Sequence, residues 1–248
     1  MLISLIIPTL KKNKQYLDLC LKSFKKNTSF EYEILIGENE EGSDQGQCGA
    51  TNKEALRSSG DWLLISNDDM YYPPGWDKNI NFKLSDCFCP NLVEPTDNPG
   101  SAPPFLKVAG GYTKESFQQE VVDKFVSEQN DSVIERGFNM PIFIKKSLWD
   151  RIGGYDEKYD PWGSNSDSDL QYKIEIAGVT PKRNRAMLVY HFSNKSGTFD
   201  GTHQEFWNQN WNHFIDKWGF PREDTVWYHD LHIPMDQLRY RPKWSKYR

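Results

Sequence analysis

Apolar side chains fill positions 3, 5, 6 and 7 with only Ser4 between them, and the run stops at Pro8-Thr9. A run without polar alternation is the pattern of a strand buried on both faces, as in a parallel sheet. Over residues 14–24, Tyr16, Leu17, Cys20, Leu21 and Phe24 recur at helical spacing, and Glu33-Ile34-Leu35-Ile36 then gives a second short strand. Together these segments form a βαβ unit. A Gly-rich polar loop over residues 38–49 leads into a helix over 50–59 closed by Gly60, and Trp62-Leu63-Leu64-Ile65 predicts a third strand ending at Ser66-Asn67-Asp68-Asp69. Strands that alternate with helices in this way predict an α/β fold, a doubly wound and mainly parallel sheet with its ligand at the carboxyl ends of the strands.

The pattern is less regular in the second half. Residues 95–104 are rich in Pro, Gly and Asn and predict a long loop, followed by a helix around 115–127 and a strand over 141–144. A helix near Ser147 ends at Gly153-Gly154, and an irregular segment runs on to Ser166. Residues 167–177 suit a helix, with Leu170, Ile174 and Ala177 on one face and Asp167 and Asp169 in the first turn, where carboxylates complement the helix dipole. Residues 187–190 predict a last strand ending in His191, and beyond it come many aromatics, Trp207, Trp211, Phe214, Trp218, Trp227 and Tyr228 among them, for which core packing is the ordinary role. No internal repeat is visible.

Composition narrows the classes without choosing among them. The chain has 248 residues, 37% hydrophobic, 26% charged and 14% aromatic, a soluble globular profile. The formal net charge of -5 provides no global positive field for nucleic acid or anionic lipid. No apolar stretch approaches the roughly 20 residues of a membrane span. The N-terminal run lacks the flanks of a signal peptide, so the expected location is cytoplasmic. Four cysteines, Cys20, Cys48, Cys87 and Cys89, are irregularly spaced and read as free thiols. Five basic residues among the last eleven, Arg239, Arg241, Lys243, Lys246 and Arg248, could steer an anionic acceptor or touch a membrane surface, although such a run is ordinarily a solvated tail.

The segment that carries most chemistry is Asn67-Asp68-Asp69. Carboxylates at a strand's carboxyl end are a natural seat for a hard divalent cation that bridges phosphate oxygens; the competing role is a solvated turn. Asp167, at a helix start, suits either a general base or a carboxylate that satisfies backbone donors. His191, at a strand end, suits a cation ligand or a structural histidine. Trp162, with Tyr155 and Tyr159, could offer an aromatic face to a sugar ring or simply pack.

Taken in order, the strand ending in Pro8-Thr9, the acidic loop Glu38-Asn39-Glu40-Glu41-Gly42-Ser43-Asp44, the helix start Gly49-Ala50-Thr51-Asn52, the Gly60-Asp61-Trp62 turn and Asn67-Asp68-Asp69 resemble family 2 glycosyltransferases of the GT-A fold. A second block, Gly153-Gly-Tyr-Asp-Glu-Lys-Tyr-Asp-Pro-Trp-Gly163 with Asp167-Ser-Asp-Leu170, is similar to the acceptor-side region of GT-A galactosyltransferases and polypeptide N-acetylgalactosaminyltransferases. The resemblance covers residues 1–195, a nucleotide-sugar half over 1–93 and an acceptor half over 105–195, and leaves 196–248 as a helical or irregular extension. It implies a transferase that moves a sugar from a nucleotide diphosphate sugar, a UDP-sugar above all, to the hydroxyl of a carbohydrate or other acceptor with inversion, using Mn²⁺ or Mg²⁺. Residue by residue, it implies Asp69 and His191 on the metal; Pro8, Thr9, Glu38, Asn52, Asn67 and Asp68 on the nucleotide sugar; Asp167 as the base; and Trp162 and Asp169 toward the acceptor. Asn67 replaces the family's first Asp and Ser166 its Glu. A retaining transferase and a carbohydrate-binding or scaffolding module that has lost catalysis are the alternatives. A Gly-rich phosphate loop is absent after the first strand, which speaks against a sugar nucleotidyltransferase.

Overall fold

The computed structural model describes residues 1–41, 43, 45–98, 105–193, 195 and 203–218. Strand β1 spans Ile3–Leu10, with its first five residues buried. A short 3₁₀ turn leads into helix α1, Lys14–Asn27, which buries Tyr16, Leu17, Cys20, Ser23 and Phe24 on one face. Strand β2 is Tyr32–Asn39, α2 is Gln47–Arg57 and β3 is Trp62–Ile65, all four residues of which are buried. Then follow β4 (Met70–Tyr71), β5 (Cys87–Pro95), β6 (Leu106–Val108), α3 (Gln119–Ser127), β7 (Ile134–Arg136), β8 (Ile142–Lys145), α4 (Lys146–Ile152), α5 (Ser166–Ile176), β9 (Lys182–His191) and α6 (Gln204–Trp218).

The strands form one nine-stranded mixed sheet whose main path runs β2-β1-β3-β8-β5-β9-β4, with β6 on β5 and β7 on β9. β1 pairs in parallel with β2 and β3, β8 lies antiparallel between β3 and β5, and β5 and β9 are parallel to each other. β2, β1, β3, β5 and β9 therefore all deliver their carboxyl ends to one edge, where this fold class places its ligands. The core sits across the middle of the sheet, where Phe88 on β5 stacks on Phe143 on β8 at 4.8 Å between ring centroids.

Two differences from the sequence reading have physical reasons. β5 is a central strand buried along its whole length, although Pro90, Asn91 and Glu94 break the apolar pattern that would announce it. Its polar residues are accommodated by tertiary partners: Asn139 Nδ2 donates to the Pro90 carbonyl at 3.1 Å, and the His191 ring meets Glu94. The helix expected around residues 115–127 begins only at Gln119, because Thr113 and Ser116 close a hydrogen-bonded turn ahead of it.

Helix α6 supplies the packing expected of the later aromatics: Phe214, Ile215 and Trp218 are buried against the domain, each burial worth roughly 1.5–3 kcal/mol. All four cysteines are buried and unbridged. No described helix is long and apolar enough to cross a membrane. Trp227, Tyr228 and the basic run over 239–248 lie outside the described residues, as do Gly42, Asp44 and positions 99–104 of the predicted loop.

Candidate functional site

A cavity of about 880 Å³ opens at the shared carboxyl edge, within the size range of small-molecule sites. Pro8, Thr9 and Asn13 line it from the end of β1, Asn39 and Glu40 from the end of β2, and Asn67, Asp68 and Asp69 from the end of β3. Trp162, Asn165 and Asp167 enter from the second half of the chain, His191 from the end of β9, and His203, Gln204 and Trp207 from the start of α6. A smaller cavity of about 330 Å³ adjoins it, sharing Asn67, Asp167, Ser168 and His191 and adding Glu94, Asn139, Met140 and Gln171.

The two aspartates after β3 have opposite environments. Asp68 Oδ2 accepts from Thr9 Oγ1 at 2.5 Å and Asn13 Nδ2 at 3.1 Å. Burial, reinforced by the neighbouring Asp69 charge, raises its pKa. Asp69 is equally buried, yet the His191 imidazole outweighs burial and holds its carboxyl below the ordinary value. The pairing Met70↔His191 in the β4–β9 ladder brings these residues together, with His191 Nε2 3.4 Å from Asp69 Oδ1. Nδ1 of the same ring lies 2.9 Å from Glu94 Oε1. Burial lowers the pKa of the imidazole, but Asp69 and Glu94 together overcome it and lift the ring to about 10.

These residues fit a divalent cation that is completed by its ligand. Asp69 Oδ1 is buried and, among the described residues, accepts no well-formed hydrogen bond, with only the His191 ring 3.4 Å away, so it has room to take a further electrostatic partner. Among the described residues no group of three or more His, Cys, Asp or Glu side chains could hold a metal ion. A cation on Asp69 and His191 would therefore need phosphate oxygens from a bound nucleotide, the usual way Mg²⁺ is held.

On the other wall, Asp167 belongs to the first turn of α5. Its surface is exposed, and it borders both cavities. Tyr155 donates its hydroxyl to Asp167 Oδ1 at 2.9 Å. Because protein surrounds the carboxyl, burial raises its pKa, and the Tyr155 hydrogen bond opposes that only in part. Asn165, just before α5, has φ +66° and lies 7% exposed on the cavity wall, its amide nitrogen and oxygen both without a partner. Trp162 stacks on His203, ring centroids 3.4 Å apart.

Of the residues singled out in the sequence, Pro8, Thr9, Asn67, Asp68, Asp69, Trp162, Asp167 and His191 meet at the large cavity. Glu38 is exposed at the end of β2 and does not line it, whereas its neighbours Asn39 and Glu40 do. Asn52, expected on the nucleotide sugar, does not line it either and cross-links the two halves of the chain. Its amide donates to the Tyr155 carbonyl at 3.0 Å and to Glu157 at 2.9 Å, and it accepts from the Tyr155 N–H at 2.9 Å. Asp169, expected toward the acceptor, does not line the large cavity. It is fully buried behind α5, where Lys217 Nζ lies 2.8 Å away and Trp218 Nε1 donates at 2.9 Å. Three functional candidates escaped the sequence reading: Glu94, Asn165 and Asn13. Only a carboxylate at the end of a recognised β5 would have signalled the first.

No family profile matches the sequence, and no curated protein sequence matches it. Solved structures do resemble the fold. GalNAc-T7, solved with UDP, GalNAc and Mn²⁺, superposes with a TM-score of 0.54 at 14% identity over 76% of this chain and 43% of that one. TarS residues 1–349 from S. aureus gives 0.54 at 13% identity over 90% of this chain and 74% of that one. A mutant of Drosophila β1,4-galactosyltransferase 7, solved with manganese, UDP-Gal and xylobiose, gives 0.51 at 13% identity over 83% and 79%. The chain thus spans less than half the length of GalNAc-T7. A strand edge that gathers Asp69, His191 and Asp167 around one cavity, on a sheet that superposes on these enzymes, gives this chain the GT-A glycosyltransferase fold.

Proposed function

We propose that the chain is a glycosyltransferase that moves a sugar from a nucleotide diphosphate sugar, a UDP-sugar in the first instance, to an acceptor hydroxyl with inversion, with Mn²⁺ or Mg²⁺ as cofactor. The observation that carries the reading is a single cavity lined both by a cation-competent pair, Asp69 and His191, and by the carboxylate of Asp167. Three structural neighbours were solved with UDP or a UDP-sugar, which supports that donor class.

The residues divide the work by chemistry. The β1 end, with Thr9 and Asn13 already ordering Asp68, and the β2 end with Asn39 form the nucleotide side of the cavity. Asn67 retains an amide oxygen that can accept from a ribose hydroxyl. A cation held by Asp69 and His191 would neutralise charge on the departing diphosphate. Asp167 takes the proton of the acceptor hydroxyl as the acceptor oxygen bonds to the anomeric carbon. The bond from that carbon to the phosphate oxygen breaks, and the nucleoside diphosphate leaves with the electron pair. A carboxyl whose pKa is raised by burial is a stronger base once ionised, and Tyr155 fixes its orientation.

The test is a screen of UDP- and GDP-sugars for nucleotide release with Mn²⁺, repeated on Asp167→Asn. That substitution keeps size and hydrogen bonding but cannot accept the proton, so donor affinity should hold while turnover falls by ~10²- to 10⁴-fold. A fall below about tenfold with an intact circular dichroism spectrum returns Asp167 to a helix-terminal carboxylate. A product of retained anomeric configuration by NMR overturns the single displacement.

A further inference from the structure

We infer that Glu94 is a positioning residue: it fixes the tautomer and ring orientation of His191 so that Nε2, beside Asp69 Oδ1, faces the cation. The inference rests on the cation reading of the proposed function and assigns a role to a residue outside both sequence motifs.

The geometry begins with the sheet. β5 and β9 run parallel with Val93 opposite Tyr190, so one step further along, the side chain of Glu94 comes beside that of His191. Glu94 Oε1 is 2.9 Å from His191 Nδ1, and Glu94 Oε2 accepts from Asn98 Nδ2 at 3.3 Å. A cation on Nε2 requires that nitrogen's lone pair, so the ring's remaining hydrogen then sits on Nδ1, where the Glu94 carboxyl oxygen accepts it. Nε2 then points at Asp69 Oδ1, 3.4 Å away, the buried oxygen that accepts no well-formed hydrogen bond among the described residues. Adjacent ligands about 2.1 Å from an octahedral cation stand roughly 3 Å apart, so the two atoms are close to a ligand pair's spacing. A ligating histidine that donates its other ring N–H to a carboxylate is the common arrangement around protein-bound metals.

Glu94 is 4% exposed in a central strand. A buried carboxylate there is costly unless its partners repay it. The alternative is that Glu94 merely completes a structural ion pair with His191. The two roles differ in what Glu94→Gln disturbs, because Gln keeps the volume but loses the charge and can present an N–H where the ring needs an acceptor.

Two measurements decide it. Free Mn²⁺ is followed by electron paramagnetic resonance as it binds the full chain with saturating UDP or GDP. Glu94→Gln should weaken Mn²⁺ binding by about 10- to 100-fold and Glu94→Ala by at least as much, in protein whose circular dichroism spectrum matches the wild type. In parallel, long-range ¹⁵N–¹H NMR of histidine-labelled wild type loaded with Mg²⁺ and nucleotide should report His191 protonated at Nδ1 and bare at Nε2. Mn²⁺ affinity within about twofold of wild type in folded Glu94→Gln and Glu94→Ala overturns the inference, and so does an Nε2–H tautomer in the loaded wild type. If the variants do not fold, the wild-type tautomer alone decides. Wild type that takes up no Mn²⁺ with either nucleotide defeats the cation reading first and this inference with it.

Discussion

Lys217→Met in α6 should cost the fold about 3–5 kcal/mol, because it strands a buried carboxylate. Lys217 is 2% exposed, its ammonium 2.8 Å from Asp169 Oδ1 and 2.8 Å from Asp156 Oδ2. Asp169 itself is fully buried and would retain the Trp218 indole at 2.9 Å and the Tyr159 hydroxyl at 3.3 Å. Burial raises the pKa of Asp169 even with Lys217 present; without the ammonium the carboxyl must either stay charged in a low-dielectric site or take up a proton. Removing one partner of a buried pair typically costs ~3–5 kcal/mol, whereas removing both is far milder. Asp156 suffers less, since His213 lies 3.0 Å away and its side chain is 15% exposed. The loss would be a large share of the ~5–15 kcal/mol that holds a typical domain. Urea unfolding followed by tryptophan fluorescence measures it, and Lys217→Met/Asp169→Asn should be more stable than Lys217→Met alone. A single-variant loss below ~1 kcal/mol, or a double variant that loses the full sum of the singles, would refute the reasoning.

Three further outcomes follow from the site and its supports. UDP at 100 times its dissociation constant should stabilise the wild type by about 2.7 kcal/mol only when Mn²⁺ or Mg²⁺ is present, and Asp69→Ala should abolish the effect; equal protection in the variant by thermal melting would sink the assignment of Asp69. Lys173 is held by burial to about 8. Since the unfolded lysine keeps its proton to about pH 10.4, the folded state binds fewer protons between these values. Stability should therefore rise by on the order of 3 kcal/mol from pH 8 to 10.4; a Lys173→Met protein with the same slope would exclude Lys173 as its source. Asp160→Ala removes the acceptor of the Cys48 and Gly49 N–H groups, at 2.9 and 2.8 Å, and should cost ~0.5–2 kcal/mol as a lost helix cap; calorimetry showing no change would rule out that role.

β1, β3 and the helices beside them were legible because parallel strands buried on both faces are written as unbroken apolar runs, and α1 carries its buried residues at strict helical spacing. β5 was not, because its polar residues answer to partners distant in sequence: Pro90 to Asn139, and Glu94 to His191. Local pattern holds no trace of such pairings. The same cause hid the surroundings of Asp169. Its motif position suggests the acceptor, but Lys217 and Trp218, 48 and 49 residues onward, draw it into the interior. Asn52 shows the reverse case, a motif residue whose contacts are all to the second half of the chain. The place of Asp167 and Asp69 at the cavity could be read because a strand end and a helix start are local features, whereas the meeting of His191 with Glu94 needed the β5–β9 register.

Ser166 and Asp160 explain how two halves of the chain can line one cavity. Ser166, where the resemblance to GT-A glycosyltransferases would place a Glu, donates its hydroxyl to the Gly163 carbonyl at 2.6 Å while accepting from Gln47 Nε2 at 3.0 Å. Gln47 is the first residue of α2, and Asp160 caps the next two N–H groups. Asn52, one turn later, holds Tyr155 and Glu157, and Tyr155 in turn holds Asp167. The start of α2 therefore gathers hydrogen bonds from residues more than 100 positions away, all converging on the segment that carries Asp167. A side chain at Gly46 would meet the Pro161 carbonyl oxygen at 2.2 Å, so the approach tolerates only glycine there. A short serine at position 166 gives up any direct contact a glutamate would make in the cavity, and joins the chain of bonds that sets the distance between Asp167 and the first half of the chain. For the direct displacement proposed above, that distance is critical, because a misplacement of reacting groups by about 1 Å can cost on the order of 10²-fold in rate.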